Sequence, residues 1–382
     1  MIRRYKDSKR QPLINITNEN KNEYLFPDQL KFLTHDNESE EIMKIGKNNS
    51  YIIWFMAETL PYCTYGKNKR FSLDGTLWSE MAPVYNQLLV VLLTIEVDVK
   101  KFIQLPVSFI VMTSRTTEDY NEVLKALNEL VYKYTGNYMG TDLITTDSER
   151  ALINTVKEVF DTNKTELLNC GFHTNQNVRR QFHETLKAEV TINGPNFNQK
   201  VFDIYAVQLK LYFLPSEFVI KLNNYLIKKV LIGSFDADND ENIKIKNALR
   251  KNIEYSINRY EKEGERISWN NHIMRNRDLK FVDSTSCKLE RLNSTIRARL
   301  RQYSHKRTID VISTLRKIFI LEQIQGLSNI KHKSGYSINK KKSIEKYDKL
   351  LTILDGLRLR STKIEDSFLE KLYTNILSFY NV

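Results

Sequence analysis

The 382 residues carry 58 Lys+Arg against 46 Asp+Glu, a net charge of +12 that excludes an acidic solvating protein. A hydrophobic content of 41% with 11% aromatics excludes a disordered chain. Twelve Gly and seven Pro are too few for a linker-rich or collagen-like one. Three widely spaced cysteines, Cys63, Cys170 and Cys287, provide neither a disulfide framework nor a complete zinc module. The basic N-terminus lacks a following apolar run, and the longest apolar stretch, Leu88 to Ile95, falls far short of a membrane span. A soluble, intracellular protein with no membrane partner is expected. An AT-rich coding sequence would spread Lys and Asn evenly, yet the charge is concentrated. Residues 291–349 hold fifteen Lys+Arg against four Asp+Glu, nearly the whole excess, as a polyanion-binding surface would.

Taken in chain order, residues 1 to about 50 are polar and irregular, with an acidic patch at Asp36 to Glu41. Tyr51 to Phe55 reads as a short strand. Phe71 to Leu77 is a strand bearing a carboxylate, and Gln87 to Val97 and Leu105 to Met112 are apolar on both faces, as central strands of a covered sheet are. Thr116 and Thr117 can cap a helix reaching Tyr132, whose stripe is Tyr120, Val123, Leu124, Leu127 and Val131. Asp142 to Thr146 is a strand ending at Asp147, Ser148 to Phe160 a helix, and Leu167 to Phe172 a further strand. From Phe71 the order is β-β-β-α-β-α-β, an α/β sheet with an antiparallel front half. Residues 174–283 read as an all-α insertion, with stripes at Phe202, Tyr205, Ala206, Leu209 and Tyr212, then Phe218 to Val230, then Ile243 to Tyr260. Thr285 to Arg301 is a strong helix whose buried stripe is Leu289, Leu292, Ile296 and Leu300, with Glu290, Arg297 and Arg301 together on an adjacent face. Two more amphipathic helices, about Ser343 to Leu359 and Thr362 to Tyr380, follow a basic loop. These boundaries divide the chain at 1–70, 71–173, 174–283, 284–302 and 303–382.

Carboxylates at strand ends are where an α/β sheet binds ligands, and Asp74 and Asp147 lie there. With Glu290 from a packed helix they would form an oxygen-only site for hard divalent cations, which can activate water at a phosphodiester. Each has a plainer alternative: Asp74-Gly75 as a turn, Asp147 as a helix cap, Glu290 as a solvated ion-pair partner.

A longer pattern ties the three together. Phe71-Ser72-Leu73-Asp74-Gly75-Thr76 resembles the opening strand of the Mutator-like element (MULE) transposase domain. Asp142 to Asn154 is similar to that family's second-aspartate segment, and Cys170-Gly171-Phe172-His173 to its Cys-x-x-His segment. Thr117 to Tyr120 fits the helix between strands, and Thr285 to Asn293 resembles the stretch carrying the final glutamate. Order and spacing agree over about Phe71 to Leu300. The resemblance implies an RNase H-like DDE core interrupted by a helical insertion. It also implies Mg²⁺-dependent cleavage of transposon ends and strand transfer into target DNA, with Asp74, Asp147 and Glu290 as catalytic ligands of two Mg²⁺ (Mn²⁺ as the alternative). It implies a structural or DNA-proximal role for Cys170 and His173. As residues alone, that pair could be half a zinc site with His183 as a third ligand and no fourth, or a buried cysteine and a helix-start histidine. Arg297 and Arg301 would face phosphates, joined by a second cluster at Lys331, Lys333, Lys340, Lys341, Lys342, Lys346 and Lys349, with Tyr303 and Tyr336 placed to stack on bases. Lys340-Lys341-Lys342 also reads as a nuclear-import patch. The expectation is a nuclear, DNA-bound transposase that works as a homo-oligomer; its rivals are a domesticated derivative that binds DNA without cutting and a scaffold using the C-terminal helices.

Overall fold

A computed structural model describes residues 41–64, 69–77, 85, 87–98, 101–147, 149–160, 165–186, 198–211, 214, 216–234, 240–264, 287–301, 308–333, 336–337 and 366–378. Its centre is a mixed sheet. The strands are β1 (Glu41–Ile45), β2 (Tyr51–Met56), β3 (Arg70–Leu77), β4 (Gln87–Asp98), β5 (Lys101–Met112), β6 (Leu143–Thr146), β7 (Glu166–Asn169) and the two-residue β8 (Tyr336–Ser337). They lie in the order β1-β2-β5-β4-β3-β6-β7, with β8 paired to β5. Pairing is antiparallel from β1 to β3 and parallel from β3 through β6 to β7. The expected antiparallel front half is therefore present, and the rear strands β3, β6 and β7 run parallel.

Strand alternation explains why β4 and β5 are apolar throughout. Leu89, Val91 and Leu93 face one core with Phe71, Leu73 and Val107. Leu88, Val90 and Leu92 face the other with Trp54, Phe109 and Val111. The first face is covered by α2 (Thr117–Thr135) and α3 (Arg150–Val159), after a short α1 (Leu60–Thr64). Helix α2 starts on the Thr116–Asp119 capping box and stops at Gly136, whose φ of 74° favours glycine. The second face is covered by α8 (Cys287–Leu300), through the expected stripe Leu289, Leu292, Ile296 and Leu300, and by α9 (Thr308–Lys331).

Between the core's two parts run α4 (Gly171–Leu186), α5 (Gln199–Lys210), α6 (Ser216–Tyr225) and α7 (Asp240–Gly264); α10 (Asp366–Ser378) follows later. A π turn, Leu226–Val230, carries α6 into a last turn, Leu231–Ser234. These helices share a separate apolar core built from residues such as Phe182, Ile204, Phe218, Leu249, Leu372 and Ile376. The helical character expected of residues 174–283 holds for the described part of that stretch, and α10 from the chain's last residues packs into the same core.

Several expectations are corrected. Glu41–Ile45 is an edge strand rather than irregular chain: Ile42 enters the core, and Glu41 bonds Trp54 and Arg316. β7 stops at Asn169, and Phe172 lies in α4. The buried face of α5 is Val201, Ile204 and Val207, continued by Leu211 just past its end; of the expected stripe Ala206 is buried, Phe202, Tyr205 and Leu209 are half-buried, and Tyr212 lies outside the described residues. α9 has no counterpart in the sequence reading, since its apolar residues encircle the helix and leave no stripe. Lys340, Lys341, Lys342, Lys346, Lys349, Tyr303 and the expected helix at 343–359 lie outside the described residues. Among the described residues, no helix is long and apolar enough to cross a membrane.

Candidate metal centre

The parallel register of β3 and β6 pairs Leu73 with Thr146, so Asp74, inside β3, and Asp147, just past the end of β6, follow side by side. Adjacent strands are about 4.8 Å apart, which brings two carboxyl groups together at the strand ends. The next pair in the parallel run is Thr146 with Asn169, which sets Cys170 beside Asp147; the Cys170 N–H donates to the Thr146 carbonyl at 2.7 Å. Helix α4 then begins at once, so His173 in its first turn returns over the same ends. From the opposite face, α8 presents Glu290, Asn293 and Arg297, spaced i, i+3 and i+7 on one face.

These side chains meet. One ligand atom each of Asp74, His173 and Glu290 lies within 4.8 Å of the others. His173 Nε2 is 3.9 Å from Asp74 Oδ1 and 3.6 Å from Glu290 Oε1. Asn293 Nδ2 donates to Asp74 Oδ2 at 2.6 Å, and the Glu149 N–H donates to Asp147 Oδ1 at 3.0 Å. Glu290 Oε1 is buried without a hydrogen-bond partner among the described residues.

The electrostatics express that crowding. Burial, followed by the charge of Asp74, pushes the Asp147 carboxyl up to about 7. Burial raises Asp74 too, against the pull of His173, Asn293 and Arg297. Burial and Asp74 together raise Glu290. Burial disfavours the His173 imidazolium, yet the adjoining Cys170 and the carboxylates of Asp74 and Glu290 outweigh it and lift that pKa to about 9. Oxygen donors that repel one another out of water are a ligand set short of positive charge, and the set fits a hard divalent cation.

The structure thus brings Asp74, His173 and Glu290 within reach of one ion, with Cys170 and Asp147 just past the ends of the parallel strands and Asp147 beside Asp74 and His173, outside that three-residue cluster; Arg297 is near enough to act electrostatically on both Asp74 and Glu290. Arg301 is exposed one turn further along. His183 is exposed and lies ten residues from His173 on one helix, about 15 Å away, so the two cannot share a zinc ion. Two participants escaped the sequence reading. Asn293 shares the Glu290–Arg297 face, and that spacing was a usable signal. Glu149 looked like one acid in a polar turn, and only the packing of α2 against α3 reveals its partner Tyr120.

The run β5-β4-β3-β6-β7, three antiparallel strands leading into two parallel ones between helical layers, defines an RNase H-like α/β protein. Residues 73–177 match the family model of the MULE transposase domain. The matched span includes Asp74, Asp147, Cys170 and His173 and ends before α8. No curated protein matches the chain.

Proposed function

We propose that this transposase-like chain hydrolyses a DNA phosphodiester at a transposon end and transfers the freed strand into target DNA, dependent on divalent cations. The observation that supports it most is the meeting of Asp74, His173 and Glu290, from three separated elements, with Asp147 beside Asp74 and a Glu290 oxygen buried without a hydrogen bond among the described residues. Asp74, Asp147 and Glu290 would hold Mg²⁺ or Mn²⁺, which when bound would neutralise phosphate charge and acidify the attacking water. In the first step the water oxygen bonds to phosphorus and the bond to the 3′ oxygen breaks, leaving a 3′-OH and a 5′-phosphate. In the second, that 3′-OH attacks a target phosphodiester and displaces a target 3′-OH, so no energy-rich co-reactant is needed. Asn293 orients Asp74 for this work, and Arg297, exposed on the same helix face, draws phosphate towards the carboxylates. Arg301 and Lys340 to Lys342 would extend contact along DNA, and the lysine triplet would serve nuclear import. Assembly as a homo-oligomer, which brings two ends together, belongs to the same proposal.

One observation favours the non-cutting alternative. His173, held as a cation 3.6–3.9 Å from two carboxylates, already supplies positive charge at the site. A plasmid nicking assay across a Mg²⁺ titration separates the readings. Nicking that appears with Mg²⁺ and vanishes in Asp74→Asn and Asp147→Asn supports catalysis. Nicking that persists in both variants removes these residues from the mechanism.

A further inference from the structure

Asp147 stands one residue beyond β6 and three before α3, where no strand pairing fixes its side chain. Its Oδ1 is held by the backbone N–H of Glu149, and the Glu149 side chain is gripped in turn. Tyr120, fully buried in the first turns of α2, donates its hydroxyl hydrogen to Glu149 Oε2 at 2.9 Å. Gln87, fully buried at the start of β4, donates through Nε2 to the same hydroxyl at 2.9 Å. The Arg115 guanidinium lies 3.9 Å from the other Glu149 oxygen. The three side-chain ends converge on Gly75, the neighbour of Asp74. A Cβ there would come 2.4 Å from Gln87 Nε2, 2.9 Å from the Tyr120 hydroxyl and 3.2 Å from Glu149 Oε2. Space that a side chain on β3 would fill is thus given to a hydrogen-bonded chain running from β4 through α2 to the turn after β6.

We infer that Glu149 is a positioning residue for Asp147, and that Gln87, Tyr120 and the absent side chain of Gly75 form the clamp that fixes it. The inference rests on the metal-site reading above and adds residues which touch neither substrate nor ion. Tyr120 is a core residue whose ring would be satisfied as phenylalanine; its hydroxyl serves the clamp. Glu149 carries a charge beside two other acids, a costly choice unless its acceptor oxygen holds the turn in place.

The test measures Mn²⁺ binding to the full chain by electron paramagnetic resonance and by calorimetry, without DNA. Groups that orient a metal's ligands typically change affinity about 10–100-fold when removed. Tyr120→Phe and Glu149→Ala should each weaken Mn²⁺ binding by about tenfold or more. Glu149→Gln keeps a side-chain oxygen for the Tyr120 hydroxyl and should recover most of what Glu149→Ala loses. Lys125→Ala, which breaks the exposed Lys125–Glu158 pair bridging the same two helices, should bind as the wild type does. Unchanged affinity in both Tyr120→Phe and Glu149→Ala overturns the clamp. A Glu149→Gln loss equal to that of Glu149→Ala overturns positioning in favour of simple charge. Wild-type chain that takes up no Mn²⁺ overturns the metal-site reading, and this inference with it.

Discussion

At Asp147 the bare site works against the fold. Its carboxyl has an ordinary value near 4 and is pushed up to about 7 here, so between those pH values the folded chain binds a proton that the unfolded chain has released. Stability then falls as pH rises through that window, and the raised Asp74 and Glu290 add in the same direction. His173, raised from about 6.5 to about 9, contributes stability below its unfolded value that is lost as pH climbs towards 9. Metal-free protein should therefore melt at a lower temperature at pH 8 than at pH 5, and millimolar Mg²⁺ should reverse the loss at pH 8; differential scanning fluorimetry reads both. Elsewhere a single residue ties the sheet's edge to its cover. Arg316, nearly inaccessible, forks onto both oxygens of Glu41 at 2.6 and 2.5 Å, and the Trp54 indole N–H donates to the same carboxylate. Glu41→Ala leaves that guanidinium buried without its anion and should cost about 3–5 kcal/mol in chemical denaturation.

The closing helix α8 has two jobs on two faces. Leu292 is buried against the sheet, so Leu292→Asp places an unpaired charge in the core and should abolish cooperative melting or shift it strongly down. Arg297 is exposed, so Arg297→Glu should keep a cooperative melt while weakening DNA binding and lowering its salt slope by about 1. Identical behaviour of the two variants would contradict this assignment of faces. The helix next along, α9, shows what charge counting misses. It lies within the most basic stretch of the sequence, yet Arg316 is spent on an internal ion pair and Gln323 donates to the carbonyls of Pro106 and Val107. Those two lie at a register shift in β5, where a proline without an N–H interrupts the ladder opposite Leu92. Part of the basic segment is thus sheet cover, and its exposed cations alone are available to a polyanion.

Across the whole molecule, the apolar cores on the two faces of the sheet and a separate helical core flank one site. The sheet and its covering helices form the first two, while the inserted helices form the other, which α10 completes with Leu372 and Ile376. Each such side chain contributes roughly 1.5–3 kcal/mol of burial. A chain stopped before Asp366 should therefore lose hydrogen-exchange protection in α5 to α7 while keeping it in β3 to β5. Because His173 sits in the first turn of α4, and α4 runs on into the helical core through Phe182 and Leu186, the insertion is anchored directly at the carboxylates.

The sequence alone was enough for the central strands and for the helices α2, α3 and α8, because each rests on local periodicity, and it singled out the three acids as candidates through a motif. The tertiary structure was needed for what depends on distance through space. It alone set the parallel register that puts Asp74 beside Asp147, placed His173 between Asp74 and Glu290, and gave Glu149 its partners from Tyr120 and Gln87. The same holds for β1 and α9: a five-residue edge strand and an all-round apolar helix carry little periodicity of their own, and they take their places from the sheet they cover.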